Sequence, residues 1–128
     1  MTREITFTLL GLGNIGRNLL DIMVHREGAI AERAGLRFKL VAAADSGGVA
    51  ISPGGLDLRT VCDIKDNGGS VSQYPEAGQP GMTALDLVEN VPTQVLVDAS
   101  PTNLKDGEPG LSCTRAALER GRHLVAAN

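Results

Sequence analysis

Apolar residues change their period along this chain, and each change marks an element. Ile5 to Leu10 is a compact apolar and β-branched run that ends at Gly11, as a strand buried on both faces does. From Asn14 the period lengthens. Ile15, Leu19, Ile22 and Met23 recur at helical spacing, with Arg17, Asn18 and Asp21 between them. The pattern predicts a helix to about Ala34, stopped at Gly35, with Gly28 as its weak point. Leu36 to Ala44 predicts a second strand ending at Asp45. Ser46 to Gly55, with four glycines and a proline, reads as a loop.

Leu56 to Asp66 fits a helix whose acidic residues face solvent, and Gly68 to Gly81 is loop-like, with at most a short strand near Val71. Thr83-Ala84-Leu85-Asp86 has the spacing of a capping box ahead of Leu87 and Val88. A strand over Gln94 to Ala99, a loop over Ser100 to Gly110, a helix over Leu111 to Arg120 and a strand from His123 to Ala127 complete the reading. Strands and helices thus alternate at both ends of the chain. Alternation of this kind, with strands rich in Val, Leu, Ile and Ala, predicts an α/β fold: a doubly wound parallel sheet in a single domain spanning residues 1–128.

Composition narrows the function. The 128 residues carry 12 basic and 15 acidic side chains, with no block of like charge, which argues against nucleic acid or a membrane surface as partner. Phe7, Phe38 and Tyr74 are the only aromatics, too few for a base-stacking surface. No apolar run reaches secretory or transmembrane length, so a cytoplasmic location is expected. Cys62 and Cys113 match no metal or redox spacing and read as reduced packing residues. His25 reads as solvated and His123 as structural. No metal motif, Ser-His-Asp order or paired-carboxylate signature is present.

The strongest chemical signal is Gly11-Leu12-Gly13-Asn14-Ile15-Gly16, a G-x-G-x-x-G string between a predicted strand and a predicted helix. That context is the dinucleotide-binding fingerprint of Rossmann-type domains. Gly11 permits the tight turn, Gly13 leaves room for pyrophosphate against bare backbone, and Gly16 lets helix and strand pack closely. Amides of the first helical turn, with the helix dipole, receive the negative charge. An acidic residue roughly 20 positions further on usually holds the adenosine ribose. Here the candidate is Asp45, beside Ser46, 29 positions after Gly16. A carboxylate there favours NAD over NADP; the alternative is a loop-start aspartate that caps backbone amides. Arg37 and Arg59 are candidates for a phosphate, which leaves NAD or NADP open.

The last third is more distinctive. Val97-Asp98-Ala99-Ser100-Pro101-Thr102-Asn103, Gly107-Glu108-Pro109 and Ala117 to Asn128, together with the glycine loop and Ala43-Ala44-Asp45-Ser46-Gly47-Gly48, resemble homoserine dehydrogenase over essentially the whole chain. The resemblance implies an NAD(P)-dependent oxidoreductase that interconverts L-homoserine and L-aspartate 4-semialdehyde in threonine and methionine biosynthesis. By position, Leu12, Gly13, Asn14 and Ile15 would lie along the dinucleotide. Ser100, Pro101 and Thr102 would sit beside its nicotinamide half, although a helix-initiating loop with local capping is the competing explanation of Ser100-Pro101. In the family, the asparagine matching Asn128 is followed by a lysine and then by a substrate domain. This sequence stops before both, so it resembles a truncated enzyme with no catalytic residue of its own. A homo-oligomer is expected of the complete enzyme. Two alternatives stand beside it: an oxidoreductase of the aspartate-semialdehyde dehydrogenase type, although neither cysteine is placed at an expected strand end, and a non-catalytic NAD-sensing module.

Overall fold

Period and element agree at both ends of the chain. The computed structural model describes residues 2–101 and 103–127. In order, it contains β1 (Arg3–Leu10), α1 (Asn14–Ala34), β2 (Leu36–Asp45), β3 (Gly48–Ile51), α2 (Leu58–Asp66), β4 (Gly78–Gln79), α3 (Ala84–Asn90), β5 (Val95–Asp98), α4 (Gly110–Glu119) and β6 (His123–Ala126). A single 3-10 turn, Val71–Gln73, lies between α2 and β4. Helix α1 runs straight through Gly28, where the backbone is solvent-exposed, and stops at Gly35 in the left-handed conformation. One glycine in a long helix costs only about 1 kcal/mol, too little to end it.

The sheet order is β4-β3-β2-β1-β5-β6. Strands β2, β1, β5 and β6 are parallel, as expected. Two antiparallel strands extend this parallel sheet at one edge, and the first of them replaces the loop expected over Ser46 to Gly55. Asp45 pairs with Gly48, so Ser46-Gly47 is a two-residue reversal and β3 folds straight back on β2. Its Val49 and Ala50 are fully buried. A four-residue strand is too short for its period to register beside so many turn residues. β4 then pairs antiparallel with β3.

Side chains alternate across the strands and build a core on each face. Phe7, Leu9, Leu40, Ala43 and Val97 join Leu12, Leu20, Val61 and Val71 on the face covered by α1 and α2. Leu10, Ala42, Ala44 and Leu96 pack with Leu87, Val88, Cys113, Ala116 and Ala117 under α3 and α4. Helices on both faces make the sheet doubly wound. Among the described residues no helix is long and apolar enough to cross a membrane.

Candidate functional site

The parallel strands point their carboxyl ends into one crevice of about 840 Å³. Leu10 follows from β1, Ala44 and Asp45 from β2, Ala99 and Ser100 from beyond β5, and Ala127 from beyond β6. β1 leads into α1 and on to β2 on one side, while β5 and β6 lie on the other. The crevice therefore opens at the point where the strand order reverses, where open α/β sheets bind their ligands.

The glycine loop forms one wall. Gly11 has φ +92°, and a Cβ there would lie 2.6 Å from the Ser100 nitrogen and 2.7 Å from the Ala99 carbonyl oxygen. The turn therefore closes backbone to backbone against the loop after β5. A Cβ on Gly16 would run into the Gly11 carbonyl oxygen, so this glycine lets α1 start tightly against its own strand. Gly13 differs from both, because a Cβ there would meet nothing within 4 Å. It is the N-cap of α1, with no capping side chain and no acidic residue in the first turn. The first intrahelical bond runs from the Arg17 amide to the Gly13 carbonyl. The amides ahead of it lie beyond the helix's own ladder, at the positive end of its dipole. Ile15 is 54% exposed on the same wall, an apolar surface that a ligand would cover.

Asp45 lines the crevice with Ser46, but its carboxylate is already engaged. One oxygen accepts from the Gly47 amide at 2.9 Å and from the Ser70 hydroxyl at 2.7 Å. The other accepts from Lys65 Nζ at 2.9 Å and from the Val71 amide at 2.8 Å. Burial pushes this carboxyl up, yet Lys65, Val71, Ser70 and Gly47 together outweigh that and hold it below the usual range. The side chain is 6% exposed. This is the capping role that the sequence left open, and a ribose could engage Asp45 only by displacing one of these donors. A ribose contact to Asp45, and with it the expected NAD preference, would require a diol to compete with these four donors. Lys65, which the sequence did not single out, is the cation brought to this wall. Arg37 and Arg59 are not with it: both line a separate cavity of about 500 Å³ along the amino-terminal half of β2, where Arg37 faces Glu27 at 3.9 Å.

The opposite wall holds Ala99, Ser100, Pro101 and Cys113. Thr102, expected beside them, lies outside the described residues. Helix α4 starts only at Gly110, so Ser100-Pro101 does not initiate it, and the Ser100 hydroxyl is instead directed to Asp98. Neither cysteine sits at a strand end, as expected, but the first turn of α4 brings Cys113 to the crevice. Burial, then the negative charges of Asp98, Glu108 and Glu89, push its thiol up to about 11. A thiol in that environment stays protonated at neutral pH and is a poor nucleophile. Packing is its role.

A doubly wound sheet with a glycine turn, an uncapped helix N-terminus and a crevice at the strand-order reversal defines a dinucleotide-binding domain of Rossmann type. The model of the Glutamate/Leucine/Phenylalanine/Valine dehydrogenase family matches residues 2–104, and the chain belongs to that family. The chain is also 31% identical over 120 residues to a homoserine dehydrogenase of Methanocaldococcus jannaschii, a match covering 94% of this chain and 35% of that protein. It is 28% identical to an NAD(+)-dependent homoserine dehydrogenase of Pseudomonas canavaninivorans, over 98% of this chain and 36% of that one. The solved homoserine dehydrogenase of Thermoplasma acidophilum superposes with a TM-score of 0.78 at 29% identity, covering 98% of this chain and 35% of its own. A hyperthermophilic archaeal homoserine dehydrogenase in complex with NADPH shares the fold at a TM-score of 0.81 and 21% identity, covering 98% of this chain and 36% of that one. The likeness read from the glycine loop and the stretch after β5 thus runs along nearly the whole chain. The chain spans about a third of the length of the curated relatives it matches.

Proposed function

We propose that residues 1–128 form the NAD(P)-binding domain of an oxidoreductase of the homoserine dehydrogenase type, which interconverts L-homoserine and L-aspartate 4-semialdehyde on the way to threonine and methionine. The observation that carries this reading is the uncapped start of α1, with Gly13 open to a crevice large enough for a dinucleotide. Bound there, the cofactor would exchange the hydride: NADH or NADPH would give it to the semialdehyde, and NAD or NADP would take it from L-homoserine. The chain's own residues do the rest of the binding. Amides of Asn14, Ile15 and Gly16 receive pyrophosphate charge, the backbone of Leu12 and the exposed side chain of Ile15 lie along the ligand, and Ser100 and Pro101 flank its nicotinamide half. Both cofactors stay in view because one relative is named for NAD and another is in complex with NADPH.

Substrate walls and the groups that move the proton belong, in this reading, to the remaining two thirds of the relatives' length. The complete enzyme is a cytoplasmic homo-oligomer. The aspartate-semialdehyde dehydrogenase alternative loses ground, because the cysteine at the crevice is held as a thiol. The test has two parts. Titration of residues 1–128 with NADH and NADPH, followed by cofactor fluorescence, should show saturable binding. Consumption of NAD(P)H with L-aspartate 4-semialdehyde should be absent for residues 1–128 and present for a protein that also carries the relatives' remaining length. Failure to bind either cofactor, or turnover by residues 1–128 alone, would overturn the proposal.

A further inference from the structure

Asp98 is a buried carboxylate at the carboxyl end of β5, 3% exposed, on the strand that feeds the nicotinamide-side wall. Placing a carboxylate there is costly unless hydrogen bonds repay it. Part of the repayment comes from Ser100, two residues on. Asp98 Oδ1 accepts from the Ser100 amide at 3.0 Å and from the Ser100 hydroxyl as well. The loop is held from three further sides: the Ala99 amide donates to the Leu10 carbonyl at 2.8 Å, the Ala127 amide donates to the Asp98 carbonyl at 2.9 Å, and the Gly11 backbone abuts Ala99 and Ser100. Ser100 is thereby locked in place on the crevice wall.

The lock has a chemical consequence. A serine hydroxyl owns one proton and two acceptor positions. With its proton committed to Asp98, Ser100 meets a ligand as an acceptor only. We propose that Asp98 is a positioning residue that fixes Ser100 as a hydrogen-bond acceptor for a donor on the nicotinamide riboside half of the cofactor. That donor is either the carboxamide nitrogen or a ribose hydroxyl. The proposal rests on the dinucleotide reading above and adds the polarity of one contact to it. A carboxylate serving only to hold the loop would affect every ligand of the crevice alike. A positioning carboxylate affects the half of the ligand that lies against Ser100.

Dissociation constants of the chain for ADP, ADP-ribose and NADH separate these cases, measured by calorimetric titration of the native chain and of Asp98→Ala, Asp98→Asn and Ser100→Ala. Asp98→Ala and Ser100→Ala should each weaken NADH by about tenfold, the scale of one lost hydrogen bond, and leave ADP within about twofold. Asp98→Asn keeps an oxygen that accepts from Ser100 and should fall between native and alanine; with Ser100→Ala it carries the test if Asp98→Ala fails to fold. Loss on ADP-ribose as well as NADH assigns the donor to the ribose, and loss on NADH alone assigns it to the carboxamide. Equal losses for ADP and NADH, or none for either, would reduce Asp98 to a structural residue and overturn the proposal. A native chain that binds none of the three ligands would instead overturn the dinucleotide reading on which it rests.

Discussion

At the start of α3, the Asp86 amide donates to the Thr83 hydroxyl at 3.1 Å, and the Thr83 amide donates to the Asp86 carboxylate at 3.2 Å. At the start of α1, Gly13 offers no side chain, and no acidic residue follows in the first turn. Both helices begin with amides that their own ladders leave without partners. In α3 the chain supplies acceptors itself and thereby occupies the helix end. In α1 it withholds them, at a cost to helix stability, and leaves a positive helix end on a crevice. The difference leaves the start of α1, and not that of α3, with the open amide donors and the dipole that an anion would need.

The largest effect expected from breaking this contrast comes at Gly11, whose bare backbone brings the open helix end to the second wall. Gly11→Val combines a strained positive φ with atoms forced into Ser100 and Ala99, and should cost about 2–5 kcal/mol. Urea unfolding would show it, and dinucleotide binding should be lost together with stability. An unchanged midpoint would mean that the turn tolerates a side chain.

Asp45 is a second place where the chain satisfies its own donors beside the crevice. Asp45→Asn should cost about 1.5–3 kcal/mol near neutral pH, the range for a charged hydrogen-bonded group. The sign of its pH dependence follows from a folded-state pKa lower than that of the unfolded chain. Its contribution is complete above the unfolded value of about 3.9 and is lost as the pH falls through the lower folded value. The stability gap between native chain and variant should therefore be wide at pH 7 and narrow toward pH 3. Affinities for NAD and NADP should fall together rather than diverge; a selective loss for NAD would restore Asp45 as a ribose ligand.

Gly13→Asp converts the open end of α1 into a self-capped one. Affinity for NADH should drop by about tenfold or more, about 1.4 kcal/mol, because a carboxylate now occupies and repels the pyrophosphate position. Stability should hold or rise by a few tenths of a kcal/mol, since aspartate is at least as good an N-cap as glycine. Opposite signs in fluorescence titration and thermal melting are the signature. The smallest effect is the converse one. Thr83→Ala should destabilise by about 1 kcal/mol and leave NADH affinity unchanged, because the Thr83 hydroxyl is engaged at its own helix end and does not line the crevice.

Much of this was legible without coordinates. The run from Ile5 to Leu10, the helical period from Asn14 and the glycines at 11, 13 and 16 describe local chemistry, and local chemistry follows from neighbouring residues. The capping box at Thr83 was legible for the same reason. The antiparallel turn at Ser46-Gly47 was hidden, because the glycines that permit a hairpin also resemble a plain loop and β3 is only four residues long. The two candidate phosphate arginines were misplaced because a charge along the chain carries no information about the end of the sheet it reaches.

What the sequence determined by itself was the succession of strands and helices, the glycine turn and the withheld cap of α1. Each depends on φ, on side-chain size or on hydrogen bonds within a few residues. Tertiary structure decided the partners that come from afar. Lys65 and Val71 reach Asp45 from 20 and 26 residues away and engage its carboxylate. Cys113 reaches the crevice from α4, and Gly11 meets Ser100 across two adjacent strand ends. Periodicity records which face of an element is buried, but the atoms that meet there depend on strand order and register, which only the packed chain defines.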